Sequence, residues 1–218
     1  MRTLTLVFVA TLGLFSAQAW ADSTIPYPYS GTIAPTNFFT AAATGEVDGY
    51  FVSGGNAGAL DYIQMIDVST DSFSGWQLPN HGTAVGTEVS FGYVTAGDVL
   101  EFQIYDATAT APGYSNGLVF SSNPADSYDG YNHAYAATWT LGNPLAPMIP
   151  SGVYIGMEDL PGAPFTSSPY GSADFNYTDE QAVFTNVDYS TAPEPGSLYL
   201  LGTGLLGLAG LVRRKLRA

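Results

Sequence analysis

The chain has 218 residues, no cysteine and a formal net charge of −14. That balance excludes disulfides, thiol catalysis and thiolate metal sites, and it disfavours nucleic acid and anionic membrane surfaces as partners. Apart from Arg2, every Lys and Arg lies at the C-terminus, at Arg213, Arg214, Lys215 and Arg217, so the long acidic stretch between has no such partner for its carboxylates.

In chain order, residues 1–21 read as a secretory signal peptide. Arg2 supplies the positive start, residues 4–15 the apolar core, and Ala19-Trp20-Ala21 the small residues before a cleavage site. Residues 22–192 then form one domain. Its Pro26-Tyr27-Pro28-Tyr29 segment reads as an extended leader. Gly, Pro, Ser, Thr, Asn and aromatic residues dominate, and no stretch repeats at the helical period. Strands are expected at 49–53, 60–68, 87–94, 99–105, 117–121, 133–140, 153–157 and 182–189. Turn signals such as Gly54-Gly55-Asn56, Asn80-His81-Gly82 and Asp129-Gly130 separate them. The strands at 87–94 and 99–105 flank Thr95-Ala96-Gly97-Asp98, which predicts a hairpin. In the second, Leu100, Phe102 and Ile104 share one face and Glu101 and Gln103 the other, the pattern of a half-buried strand. Short strands spaced by turns predict an all-β fold, a single β-sandwich or jelly-roll-like domain. A linker is expected after Tyr189.

Five oxygen-bearing side chains gather in two segments: Glu158 and Asp159, then Asp174, Asn176 and Asp179. Calcium takes six to eight oxygens from such groups, so a structural Ca2+ site is one reading; Asx-turn residues that satisfy loop backbone are the other. The spacing is not that of an EF-hand. Catalysis finds little footing. His81 lies in a turn, and His133 opens a strand beside Asp129, where a buried hydrogen-bonded role suits it. There is no G-x-S-x-G elbow and no H-E-x-x-H pair, and among so many acids no pair stands out for glycoside hydrolysis. Trp76, Trp139 and the many tyrosines suit either sugar stacking or a sandwich core.

The last 26 residues form a separate unit, 193–218. Residues 198–212 carry no charge. As a helix they reach about 22 Å, short of a hydrocarbon core of about 30 Å. Arg213, Arg214 and Lys215 hold that end cytoplasmic by the positive-inside rule. Gly202-Thr203-Gly204-Leu205-Leu206-Gly207 spells a dinucleotide-binding string but lacks the strand and βαβ unit that motif needs. Pro193-Glu194-Pro195, a glycine-bearing apolar helix and Arg-Arg-Lys together resemble the PEP-CTERM sorting signal of Gram-negative bacteria. The resemblance implies an exosortase-type processing enzyme that recognises Pro193, Glu194 and Pro195 and removes the tail. It also implies transient inner-membrane anchoring before release to the cell surface or extracellular matrix.

A second resemblance covers about 88–187. Asp129-Gly130 and His133, then Gly156-Met157-Glu158-Asp159-Leu160, then Asp174-Phe175-Asn176-Tyr177-Thr178-Asp179 leading into Val183-Phe184, are similar to the secreted bacterial family called domain of unknown function 4114. Asn176 and Thr178 depart from its pattern of Asp and Asn. It implies a β-rich export domain of unassigned activity. The reading that follows is a non-catalytic exported surface or matrix protein, with a carbohydrate-binding module for exopolysaccharide as the alternative and a secreted hydrolase third.

Overall fold

The computed structural model describes residues 25–55, 57–108, 117–162, 173–191 and 203–204. The signal peptide, Pro193 to Pro195, the apolar run 198–212 as a whole, and Arg213, Arg214 and Lys215 lie outside the described residues. Thr203 and Gly204, from the tail, are helical. No helix among the described residues is long and apolar enough to cross a membrane.

The strands are β1 (Asn37–Ala41), β2 (Gly45–Ser53), β3 (Asp61–Asp67), β4 (Ser72–Phe73), β5 (Glu88–Val94), β6 (Val99–Asp106), β7 (Leu118–Ser121), β8 (Ala134–Trp139), β9 (Gly152–Met157), β10 (Glu180–Phe184) and β11 (Val187–Thr191). They build two antiparallel sheets. The first runs β11-β1-β6-β3-β4, with β7 also paired to β6; the second runs β5-β2-β10-β9-β8. This is the arrangement of a β-sandwich.

One turn expected to join paired strands, and one stretch expected to be a single strand, instead carry the chain between the sheets. Thr95 to Asp98 does close a turn, with Asp98 N–H donating to the Thr95 carbonyl at 2.9 Å. However, β5 before it belongs to the second sheet and β6 after it to the first. The expected strand at 182–189 is likewise two strands. Thr185 and Asn186 carry the chain from β10 to β11, and Asn186 takes the left-handed φ of 60° that this corner requires. Its side-chain oxygen accepts from Ala43 N–H at 2.8 Å, tying the corner to the loop after β1. The chain remains a strand to Thr191, where a linker was expected, and β1 and β4 are further strands that the pattern did not announce.

Between the sheets lies a core of Phe39, Phe51, Phe91, Phe102, Phe120, Phe184, Ile63, Ile104 and Ile155 among others. A second core covers the outer face of the β5-β2-β10-β9-β8 sheet. Trp139 and Tyr154 stack there at 6.1 Å, and Tyr135, Tyr177 and Val183 join them. The leader segment is part of this layer: the Tyr27 ring packs 4.8 Å from Tyr135 and 5.1 Å from Tyr177. Both faces of β9 and β10 are therefore buried. Strand β6 is buried on both faces too, but by a different means. Glu101 and Gln103 are not solvated; Gln64 Nε2 donates to Gln103 Oε1 at 2.8 Å, Gln103 Nε2 to Glu101 Oε1 at 2.8 Å, and Ser121 Oγ to Glu101 Oε1 at 2.6 Å. A closed amide–carboxylate ladder replaces water on that face.

Candidate metal centre

Four strand ends meet at one edge of the sandwich. From the first sheet, β3 begins at Asp61 and β6 ends at Asp106, and the register sets these two aspartates directly opposite each other. From the second, β9 ends at Met157 and delivers Glu158 and Asp159, while Asp179 immediately precedes β10 and Glu180 opens it. Asp179 N–H donates to the Met157 carbonyl at 3.1 Å, and Asp159 N–H to Asp179 Oδ2 at 3.1 Å, which locks the two segments of the second sheet in register.

The result is a buried acidic centre. Carboxylate oxygens of Asp61, Asp106 and Asp159 lie within 4.8 Å of one another, and so do those of Glu158, Asp159 and Asp179. Asp61, Asp106, Glu158, Asp159 and Glu180 are all buried. Some oxygens have donors: Asn80 Nδ2 donates to Asp61 Oδ2 at 2.6 Å, and Thr108 N–H and Oγ1 each donate to Asp106 Oδ1 at 2.8 Å. Others do not. Asp61 Oδ1, Glu158 Oε2 and both Glu180 oxygens are buried without a hydrogen-bond partner.

Burial, and then neighbouring carboxylates, push the acids here above their ordinary range. Desolvation raises Asp61, with Asp159 and Asp106 adding to it. Desolvation likewise raises Glu158, helped by Asp179 and Asp174, and Asp159, helped by Asp179 and Asp106. Asp179 is raised by burial against the opposing pull of the Asp159 N–H. Glu180 is raised well above the usual carboxylate value by burial alone. Such a set suits a hard divalent cation, because every donor is an oxygen and there is no thiolate or imidazole among them.

A clamp behind the centre holds Glu158 in place. His133 and Asp129 have fully buried side chains, and His133 Nε2 lies 3.1 Å from both Asp129 oxygens. His133 Nδ1 sits 2.9 Å from the Glu158 carbonyl oxygen, and Gly162 N–H donates to Asp129 Oδ2 at 2.6 Å. The ring stacks on Phe120 at 4.2 Å. Both ring nitrogens face oxygens of the fold itself. His81 is a turn residue whose Nε2 lies 3.1 Å from the Ala57 carbonyl oxygen.

The five residues expected to act together divide into two groups. Glu158, Asp159 and Asp179 converge. Asp174 and Asn176 instead form consecutive Asx turns: Asn176 N–H donates to Asp174 Oδ1 at 3.0 Å, Asn176 Nδ2 to Asp174 Oδ2 at 2.8 Å, and Thr178 N–H to Asn176 Oδ1 at 2.8 Å. Asp61 and Asp106 complete the centre and were not expected. Their signal was parity: Asp61 lies on the strand face of Ile63 and Met65, and Asp106 on that of Phe102 and Ile104, so each acid continues a core-facing row.

The aromatic residues also sort. Trp139 is core. Trp76 is 38% exposed and lies 5.3 Å from Tyr105, whose ring is 6.4 Å from Tyr62. These three line the outside of the β3–β6 pair.

Among known proteins, residues 191–215 match the family model of the PEP-CTERM protein-sorting motif. No curated protein and no solved structure matches the chain. The motif implies an exported protein that is transiently anchored in the membrane and processed by exosortase.

Proposed function

We propose that the chain is a non-catalytic surface or extracellular-matrix protein of a Gram-negative bacterium, its sandwich steadied by structural calcium and delivered by its tail. The observation that carries the reading is the sorting motif at 191–215, which begins where the last strand, β11, ends at Thr191. The matched motif thus starts at the residue where β11 ends. The resemblance of 88–187 to a secreted β-rich family supports export of a domain of this kind. Calcium is supported by the buried convergence of Glu158, Asp159 and Asp179 with two acids of the other sheet.

Recognition of the Pro193-Glu194-Pro195 region is tested by Glu194→Ala in a host with the exosortase. The parent is expected to lose its tail, and the variant to keep it and run at the size of the chain cleaved only at the signal peptide. Equal processing of the two would remove the sorting part of the reading.

A second reading, binding of exopolysaccharide, is favoured by the Trp76–Tyr105–Tyr62 row. Aromatic faces suit the apolar faces of sugar rings. With no Lys or Arg in the domain, the polymer it fits is neutral or amino-sugar-bearing rather than anionic.

A further inference from the structure

We propose that the acidic centre holds two calcium ions bridged by Asp159, one between Asp61, Asp106 and Asp159 and the other between Glu158, Asp159 and Asp179. The inference rests on the calcium reading above. It adds the stoichiometry, the bridging residue and the two ligands that come from the opposite sheet.

Geometry sets the number. Calcium binds oxygens at 2.3–2.6 Å, so any two ligands of one ion lie no more than about 5.2 Å apart. Each trio meets that condition by itself, with its oxygens within 4.8 Å, and the two trios share Asp159 and no other member. A carboxylate has two oxygens, enough to serve an ion on each side.

Unmet hydrogen bonding is the second, independent observation. Buried polar atoms in folded proteins are nearly always paired. Here one trio contains Asp61 and the other Glu158, and each of these residues has a buried oxygen without a partner, Asp61 Oδ1 and Glu158 Oε2. Each trio thus includes a residue with a buried oxygen that no donor of the fold serves. Were both ionised, Asp61 and Asp106 would set like charges directly opposite on paired strands, which destabilises the pairing unless a cation lies between them.

Charge balance agrees. Counting Glu180, the six carboxylates of the centre carry six negative charges when ionised; one dication leaves four of them, and two leave two. Coordination can be completed by water. A cavity of about 260 Å³ lined by Ala57, Ala59, Asp106, Thr108, Asp159 and Asp179 opens onto the centre. At roughly 30 Å³ per water it has room for several. The pair of ions would then act as a rivet, because the first trio joins Asp61 and Asp106 of one sheet to Asp159 of the other.

The test is native mass spectrometry of the full-length chain, stripped with chelator and titrated with calcium chloride. Two calcium ions per chain are expected. Asp61→Asn should bind one, Asp179→Asn should bind one, and Asp159→Asn should bind none. Near-ultraviolet circular dichroism, which senses the Trp139–Tyr154 stack, establishes that each variant is folded. The parent stoichiometry needs no variant and stands even if one misfolds. One ion on the parent, lost in Asp179→Asn but kept in Asp61→Asn, would overturn the two-ion centre and leave the calcium reading intact. No ion on the parent would overturn both.

Discussion

Asp129 feels opposing influences. Burial disfavours its charge, but the hydrogen bond and the charge of His133, together with the Gly162 and Tyr131 N–H groups, outweigh that and hold its carboxyl below the usual carboxylate range. Because the folded value is depressed, its stabilisation is present above the unfolded value, about 4, and is lost as pH falls through the folded one. Asp129→Asn should therefore lower the melting midpoint by several degrees at pH 6, and the gap from the parent should narrow steadily towards pH 2.5. Circular dichroism melts across that range measure it. A gap independent of pH would mean that the carboxylate charge contributes nothing. At the same scale, Asp174 and Asn176 show why residue type alone could not assign a ligand. Asp and Asn satisfy turn backbone as readily as they bind cations, and only the position of each oxygen decides between the two.

At the scale of the element, the strands differ in what covers their outer faces. Strands β9 and β10 are covered by a layer made of the leader and the loops around Tyr177 and Ile149. Among the described residues, strands β3 and β6 are covered on that side by their own polar ladder and the aromatic row at its side. The proposed sugar reading is therefore tested on the β3–β6 face. Trp76→Ala should lower retention of the protein in gels cast with the host's exopolysaccharide. Aromatic stacking contributes roughly 0.5–1.5 kcal/mol, so the apparent affinity should fall about two- to tenfold. The melting midpoint should change little, since Trp76 is partly exposed. Affinity electrophoresis reads the first quantity and a thermal melt the second. A Trp76→Ala protein retained as strongly as its parent would eliminate this face, and with it the carbohydrate reading.

For the molecule as a whole, the governing fact is an acidic domain without lysine or arginine. Cations can help it in two ways, by screening the surface and by occupying the centre. At a hundredfold excess over its dissociation constant, a ligand bound only to the native state adds about 2.7 kcal/mol. For a domain of this size that is roughly 5–10 °C in melting midpoint. Calcium should give this increment beyond magnesium or sodium at equal ionic strength. Asp179→Asn should reduce the calcium-specific part, while Asp174→Asn, a turn residue, should keep it. Equal midpoints in the three salts would reduce the effect to screening. The cation-free protein should also respond to pH in the sense opposite to Asp129. The folded values of Asp61, Glu158 and Asp159 are raised, so their contribution is greatest below about pH 4 and is lost as pH rises.

Local chemistry was legible in the sequence. Alternating residues placed most strands, the acids of two short segments, Glu158-Asp159 and Asp179, marked part of the centre, and Pro193-Glu194-Pro195 with its tail marked the sorting signal, because each pattern is written in neighbouring residues of one segment. What the sequence left open depended on distance through space. Whether Thr95 to Asp98 joins neighbours in one sheet or crosses to the other is decided by which strands β5 and β6 find as partners, and both outcomes share the same turn residues. Glu101 and Gln103 look solvated until Gln64 and Ser121, on other strands, close a ladder over them. Asp61 and Asp106 are separated by most of two strands and everything between, so only the antiparallel register, set by the Ile63, Met65, Phe102 and Ile104 row packing inward, brings them face to face beneath Asp159.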